Sequence, residues 1–234
     1  MPAFAAKLAA LKSQAPVDFA WYPYDTMSNI VHIGPLVTAE FDALFEPGKK
    51  IADIGAADGD LAFYLESHGN ECHIYDYGPT GYNGLRGPRH MKQLLESSVE
   101  IIEQDLDTQF RITSQYDLVF LLGILYHLKN PFYVLEQLSK TSRHLILSTR
   151  IARHFTAATA DASVIPAAYL LNADEANNDS TNYWIFTLAG LRRLAERTGW
   201  EVVAVRTTGD LIHSNPQDND RDERAFALLR SRVA

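Results

Sequence analysis

Residues 51–60, Ile-Ala-Asp-Ile-Gly-Ala-Ala-Asp-Gly-Asp, set two glycines, Gly55 and Gly59, among three carboxylates, Asp53, Asp58 and Asp60. Glycines at this spacing allow backbone conformations closed to other residues and let a ligand approach the main chain. A helix starting here would present free amides and a partial positive charge to that ligand. In a dinucleotide site this end meets a pyrophosphate, and the third glycine of G-x-G-x-x-G packs the helix on the strand. The corresponding positions here are Gly55, Ala57 and Asp60. A carboxylate aimed at two phosphates is electrostatically poor, which argues against a dinucleotide-dependent oxidoreductase. S-adenosylmethionine carries an ammonium, a carboxylate and a sulfonium but no phosphate, and an acidic rim suits it.

More acids follow at the ends of the next two predicted strands. Asp76, followed by Tyr77, lies about 20 residues beyond the turn, the spacing at which an acid meets ribose hydroxyls. Asp105, followed by Leu106, ends the third strand. Successive strand ends share the carboxyl edge of an open α/β sheet, where its ligands bind. Methyl transfer from a sulfonium is an in-line displacement that chiefly requires alignment. An oxygen acceptor must also lose its proton, which suits a histidine near neutral pH. His127, after the fourth strand, is expected to act as that base or to orient the acceptor. The competing expectation is that it caps the next helix or shapes the cofactor pocket.

Tyr126 reads as a packing residue or a wall of the donor pocket. Arg150, Arg153 and His154 follow the fifth strand and could grip an anionic acceptor, although strand-end surface charges are commoner. Tyr183 and Trp184 could wall the acceptor or belong to the core. Trp21, Tyr22 and Tyr24, with the 75–82 turn, could close the site from outside. No histidine pair shows metal-helix spacing, so no obligatory metal is expected.

These residues need a scaffold of alternating strands and helices, which implies a largely parallel sheet covered on both faces. Strands are expected at 49–55, 71–76, 99–104, 116–122, 144–149, 200–206 and 225–230. Helices are expected at 37–46, 60–67, 92–96, 131–140 and 187–198. Asn130 is expected to cap the helix opened by Pro131. Residues 151–182 lack clean periodicity, and a long irregular insertion is usually functional or disordered. The fold class expected is α/β: a Rossmann-like, seven-stranded, mostly parallel sheet flanked by helices, with the last strand antiparallel. Its last two strands, joined without a clear helix, should form an antiparallel hairpin.

The 234 residues suffice for one domain. It divides into an N-terminal helix and lid (1–36), a cofactor-binding core (37–150), an acceptor-site insertion (151–182) and a C-terminal helix with strands (183–234). The lysines interrupting the apolar start point to an amphipathic helix rather than a signal peptide. One cysteine, Cys72, gives no disulfide framework. No apolar run is long enough to span a bilayer. A cytoplasmic location is expected. The net charge of −8, from 29 acidic and 21 basic residues, weighs against a nucleic-acid substrate. A local patch from Arg143, Arg150, Arg153, Arg192, Arg193 and Arg197 remains an alternative.

Residues 53–59, Asp-Ile-Gly-Ala-Ala-Asp-Gly, resemble the first motif of class I S-adenosylmethionine-dependent methyltransferases. Residues 116–132, which include Gly-Ile-Leu-Tyr-His and a following proline, resemble their fourth-strand motif. That form is closest to a subgroup containing the tRNA wobble-uridine carboxymethyltransferases and related methyltransferases. Residues 182–200 resemble the same subgroup's late helix, so the likeness covers about residues 45–206. It implies Gly55 and Gly59 against the methionine part and Asp76 on the ribose. Asp105 and Leu106 would flank the adenine, with Leu122 and Gly123 beside the cofactor. The lysine with which the tRNA enzymes recognise a carboxylated cofactor, near a Pro-Trp-Arg-Lys segment, has no counterpart in Trp21-Tyr-Pro-Tyr-Asp-Thr. The activity expected is therefore methyl transfer to oxygen or nitrogen of a small acceptor, a sugar or another metabolite. A tRNA-modifying methyltransferase and a non-catalytic cofactor-binding scaffold are the alternatives.

Overall fold

Five parallel strands carry the sheet: β1 (Lys50–Ile54), β2 (Glu71–Asp76), β3 (Glu100–Glu103), β4 (Tyr116–Leu122) and β5 (Ser142–Ile151). They lie in the order β3-β2-β1-β4-β5. The computed structural model describes residues 1–37, 43–156, 160–218 and 220–234. The chain order reverses between β1 and β4, which opens a crevice at the carboxyl ends of the strands. Near-continuous apolar runs suit strands buried on both faces, and Leu118, Val119, Phe120 and Leu121 of β4 are all fully buried.

Beyond β5 the direction changes. β9 (Glu223–Ser231) runs antiparallel along β5, from His144 opposite Arg230 to Ile151 opposite Glu223. β8 (Trp200–Gly209) pairs antiparallel with β9, with an irregularity between Val202 and Ala204. The antiparallel ending expected from the sequence is therefore present. A hairpin of β6 (Ala168–Leu170) and β7 (Trp184–Phe186) is added through Ile151 opposite Phe186. It makes nine strands where the sequence indicated seven. Three-residue strands are too short to show a period, and residues 151–182 gave none.

Helices cover both faces. α1 (Pro2–Gln14), α2 (Ile30–Ile33) and α3 (Asp60–Glu66) contribute to the apolar layer on one side, with Leu8, Ile33, Phe63, Ile74 and Phe120. α5 (Pro131–Thr141) and α6 (Leu188–Arg197) close the other, with Leu135, Leu138, Leu191 and Trp200. Trp200 is fully buried, and its indole donates to the Leu135 carbonyl at 3.0 Å, pinning β8 to α5. Thr187 caps α6 by accepting from Gly190 N at 3.0 Å. α4 (Arg86–Leu95) begins six residues before the helical stretch read at 92–96. Leu85 before it adopts a left-handed conformation (φ 63°), which the sequence does not mark. Of the helix expected at 37–46, residues 38–42 lie outside the described residues, and 43–45 form a 3-10 turn. Asn130 occupies the cap position of α5 without capping it; its side-chain amide donates instead to the Asp107 carbonyl at 3.1 Å.

Candidate active site

The glycine turn joins β1 to α3 through three left-handed residues, Gly55 (φ 68°), Ala57 (φ 55°) and Gly59 (φ 82°). Ala57 adopts this conformation despite its Cβ, a strain of about 1–3 kcal/mol of the kind that collects at ligand sites. The two glycines serve different ends. A Cβ on Gly55 would overlap the side chain of Ile124, just beyond β4. A Cβ on Gly59 would lie 2.8 Å from Phe63 and 2.9 Å from Ile74, so Gly59 seats α3 on the sheet rather than facing the crevice.

The three acids of the turn also part company. Asp58 and Asp60 are buried and turned toward the N-terminal segment, where Lys12 lies 3.0 Å and 2.9 Å from their carboxylates. Asp58 accepts further bonds from Tyr22 N (2.9 Å) and Asn83 Nδ2 (2.8 Å). These two acids anchor a latch. The cradle expected from three acids therefore owes its free negative charge to Asp53 and Asp76. Asp53 is 4% exposed and its Oδ2 has no hydrogen-bond partner among the described residues. Burial, then the charges of Asp76 and Asp60, push its carboxyl up to about 7. Burial also lifts Asp76 to about 6, against the opposing bond from Tyr77 N at 2.7 Å and with the charge of Glu103 adding to the rise. Asp105 faces its own turn, accepting from Asp107 N (2.9 Å) and Thr108 Oγ1 (2.5 Å), while Leu106 is buried in the core.

The latch continues through aromatic residues. Lys12 lies over the Trp21 ring at 5.5 Å. Tyr22 accepts from Tyr82 N at 2.9 Å and packs on the Tyr82 ring, closing the 78–82 turn against the N-terminal segment. Tyr24 is exposed.

Past Leu122 the chain turns at Gly123 (φ 75°), held by its amide to the Ser148 carbonyl at 2.9 Å. His127 ends the short 3-10 turn Leu125–His127. Its Nδ1 lies 3.1 Å from the Thr181 carbonyl and 3.0 Å from Thr181 Oγ1. A carbonyl can only accept, so Nδ1 carries the proton and Nε2 presents a lone pair. Thr181 Oγ1 in turn donates to Asp179 at 2.6 Å. Burial holds the imidazole below its usual range, partly opposed by the Thr181 bond and the Asp179 charge, so the ring is neutral at neutral pH.

Arg150 and Arg153 do not act alike. Arg153 pairs with the buried Glu223 at 2.9 Å, tying the segment after β5 to the start of β9. Arg150 is 4% exposed; its Nη2 meets Asp222 at 2.5 Å, and its Nη1 has no partner among the described residues. Tyr183 N donates to the Tyr126 carbonyl at 2.8 Å, and the Trp184 ring lines a cleft of about 500 Å³ with Phe132, Tyr133 and Phe186. Arg192, Arg193 and Arg197 are exposed on α6. Among the described residues, no group of three or more metal-ligating side chains gathers.

A family model described as a methyltransferase domain matches residues 32–205. The chain belongs to the methyltransferase-domain family. It is a class I, S-adenosylmethionine-dependent methyltransferase with a Rossmann-like sheet, and its methyl donor is S-adenosylmethionine. No curated protein matches the sequence. Solved structures share the fold at low identity. The N-terminal domain of EvdMO1, crystallised in the presence of SAH and D-fucose, is 18% identical over 97% of each chain, with a TM-score of 0.63. A putative methyltransferase of Bacillus halodurans is 13% identical over 88% of this chain and 98% of its own, with a TM-score of 0.62. The [4+2]-cyclase SpnF is 10% identical over 99% of this chain and 93% of its own, with a TM-score of 0.63.

The methyltransferase's own residues fit its donor. Asp53 keeps one buried oxygen unpartnered beside a second carboxylate of raised pKa, a pair that an ammonium or sulfonium would relieve. Gly55 takes a left-handed turn (φ 68°) that a side chain would strain, with Ile124 packed where its Cβ would lie. Sequence reading missed Lys12, Ile124, Asp179, Thr181 and Arg224. Lys12 and Thr181 join the site through contacts 46 or more residues away in the chain, and Asp179 through its bond to Thr181, which no local motif announces.

Proposed function

We propose that this methyltransferase passes its methyl group to an oxygen or nitrogen of a small acceptor, with His127 taking the acceptor's proton. The observation that carries the reading is the Asp179–Thr181–His127 chain of hydrogen bonds, which fixes the proton on Nδ1 and leaves Nε2 free to act as base. Bound S-adenosylmethionine supplies an electrophilic methyl on a sulfonium. The chain aligns the two reactants. Asp53 and Asp76 hold the positive and hydroxyl-bearing parts of the donor, while Gly55 allows close approach. Asp105, Leu106, Leu122, Gly123 and Tyr77 border it. Tyr126, Arg150, Arg153, Tyr183 and Trp184 surround or support the acceptor's place at the ends of β4 and β5. The sugar crystallised with the EvdMO1 domain is consistent with an acceptor of that size.

A general base contributes about 10²–10⁴-fold. His127→Asn should therefore lower kcat by that range at neutral pH, with the dissociation constant for adenosylhomocysteine changed less than about twofold. Turnover at the parent rate would remove His127 from proton transfer. Two other readings remain open to test. A tRNA substrate, favoured by the form of residues 123–131 and opposed by the net charge of −8, predicts tight, salt-sensitive retention of bulk tRNA on filters. A scaffold without catalysis predicts donor binding with no turnover on any acceptor. SpnF, a cyclase on the same fold, illustrates that this fold does not by itself dictate the reaction.

A further inference from the structure

Arg150 on β5 and Arg224 on β9 stand directly opposite each other in the antiparallel ladder. Residues so paired project on the same face, and like charges there repel. Arg150 relieves part of this through Nη2, which lies 2.5 Å from Asp222 and donates to the carbonyls of Asn215 and Asp218, each at 3.3 Å. Its Nη1 is buried without a partner. Arg224 forms no ion pair among the described residues; its guanidinium lies 5.7 Å over the ring of Tyr126. One of its nitrogens would sit 3.4 Å from a Cβ on Gly123, and the Tyr126 hydroxyl 3.7 Å from the same point. Two guanidiniums and a phenol thus gather at the end of β4, beside His127, whose imidazole feels the Arg224 charge.

We infer that Arg150, Arg224 and Tyr126 form a subsite for a carboxylate on the acceptor. Arg224 is a half-buried cation without an ion pair among the described residues, set beside a second guanidinium, and a bound anion would supply the missing partner. Charge favours a monoanion: with Asp222 beside Arg150, the two arginines leave one net positive charge. A carboxylate is planar, and each oxygen can accept from a guanidinium edge, while the Tyr126 hydroxyl can donate to either. The subsite rests on the acceptor position proposed above. It names the acceptor class more narrowly, as a sugar acid or other small carboxylic acid. Arg153 has no part in it, because Glu223 occupies its guanidinium.

The test uses the full chain saturated with adenosylhomocysteine and titrated by calorimetry. Glucuronate and benzoate are the carboxylate probes, glucose and benzyl alcohol their neutral partners, and inorganic phosphate the dianion. Both carboxylates should bind at least about tenfold more tightly than their neutral partners, a difference of about 1.4 kcal/mol. Arg224→Gln should abolish that preference while changing the adenosylhomocysteine constant less than about twofold. The variant should fold, since it removes a like-charge contact, and its melting temperature verifies this. Failure to bind adenosylhomocysteine would count against the donor reading instead, and the carboxylate titration of the bare chain would still report on the arginines. Equal binding of acid and neutral probes, tighter binding of phosphate, or an unchanged preference in Arg224→Gln would each overturn the inference.

Discussion

The two halves of the sheet's carboxyl edge carry opposite charge. Over β1 and β2, Asp53 and Asp76 are acids whose proton affinity is raised by burial and by their acidic neighbours. Over β5 and β9, Arg150 and Arg224 are paired cations, one of them with an orphaned nitrogen. Gly123 and the 3-10 turn with His127 lie at the end of β4, between the two. Each half is strained alone and would be relieved by a ligand of the opposite sign. A cationic donor and an acceptor that carries or develops negative charge satisfy both. The difference shows how one mixed sheet can sort two reactants by field before any shape is considered.

The largest way to break the donor half is Gly55→Val. A β-branched residue at φ 68° is strained, and its Cβ would overlap Ile124. Adenosylhomocysteine affinity should fall more than about 100-fold, matching roughly 3 kcal/mol of strain and lost approach, with glucuronate binding by the bare chain retained. Loss of both affinities would mean that the halves are not separable.

Asp53→Asn should produce opposite signs in two measurements. Adenosylhomocysteine binding should weaken about 10- to 100-fold, the value of a hydrogen bond to a charged group. The ligand-free variant should nonetheless melt higher than the parent at alkaline pH. The folded carboxyl keeps its proton up to about 7, against an ordinary value of 3.8. Folding therefore takes up a proton in that window, and stability falls as pH rises through it. The melting-temperature gap between variant and parent should widen between about pH 4 and pH 7 and level off above that. A constant gap would place Asp53 in an environment less demanding than its burial implies.

The smallest effect concerns the latch. Lys12→Met leaves the buried Asp58 and Asp60 without their shared cation. A stability loss of roughly 1–3 kcal/mol is expected in denaturant titrations, below the range for a fully buried pair because Lys12 keeps some contact with water. Glucuronate affinity should not change. A shift there would show that the N-terminal latch reaches the acceptor half.

Legibility followed the same division. β2 and β4 were readable to the residue, since a buried parallel strand is an uninterrupted apolar run between turn residues. α4 was read short because its first half, Arg-Gly-Pro-Arg-His, lacks apolar periodicity and starts from a left-handed leucine. The glycine turn was visible as a motif, but Gly59 proved to be a packing glycine and Asp58 and Asp60 proved to be latch residues. Those roles depend on Lys12, Phe63 and Ile74, whose distances from the turn no spacing rule supplies.

What the sequence determined is local: an acid-rich glycine turn after an apolar strand, acids ending the next two strands, and a histidine after the fourth. Hydrophobic period and turn chemistry act over a few residues, so they leave a trace there. Tertiary structure alone decided which acid keeps an unpartnered oxygen, which nitrogen of His127 holds the proton, and that Arg224 faces Arg150. Burial and charge pairing are set by residues distant in the chain, and they exist only once the sheet has brought those residues together.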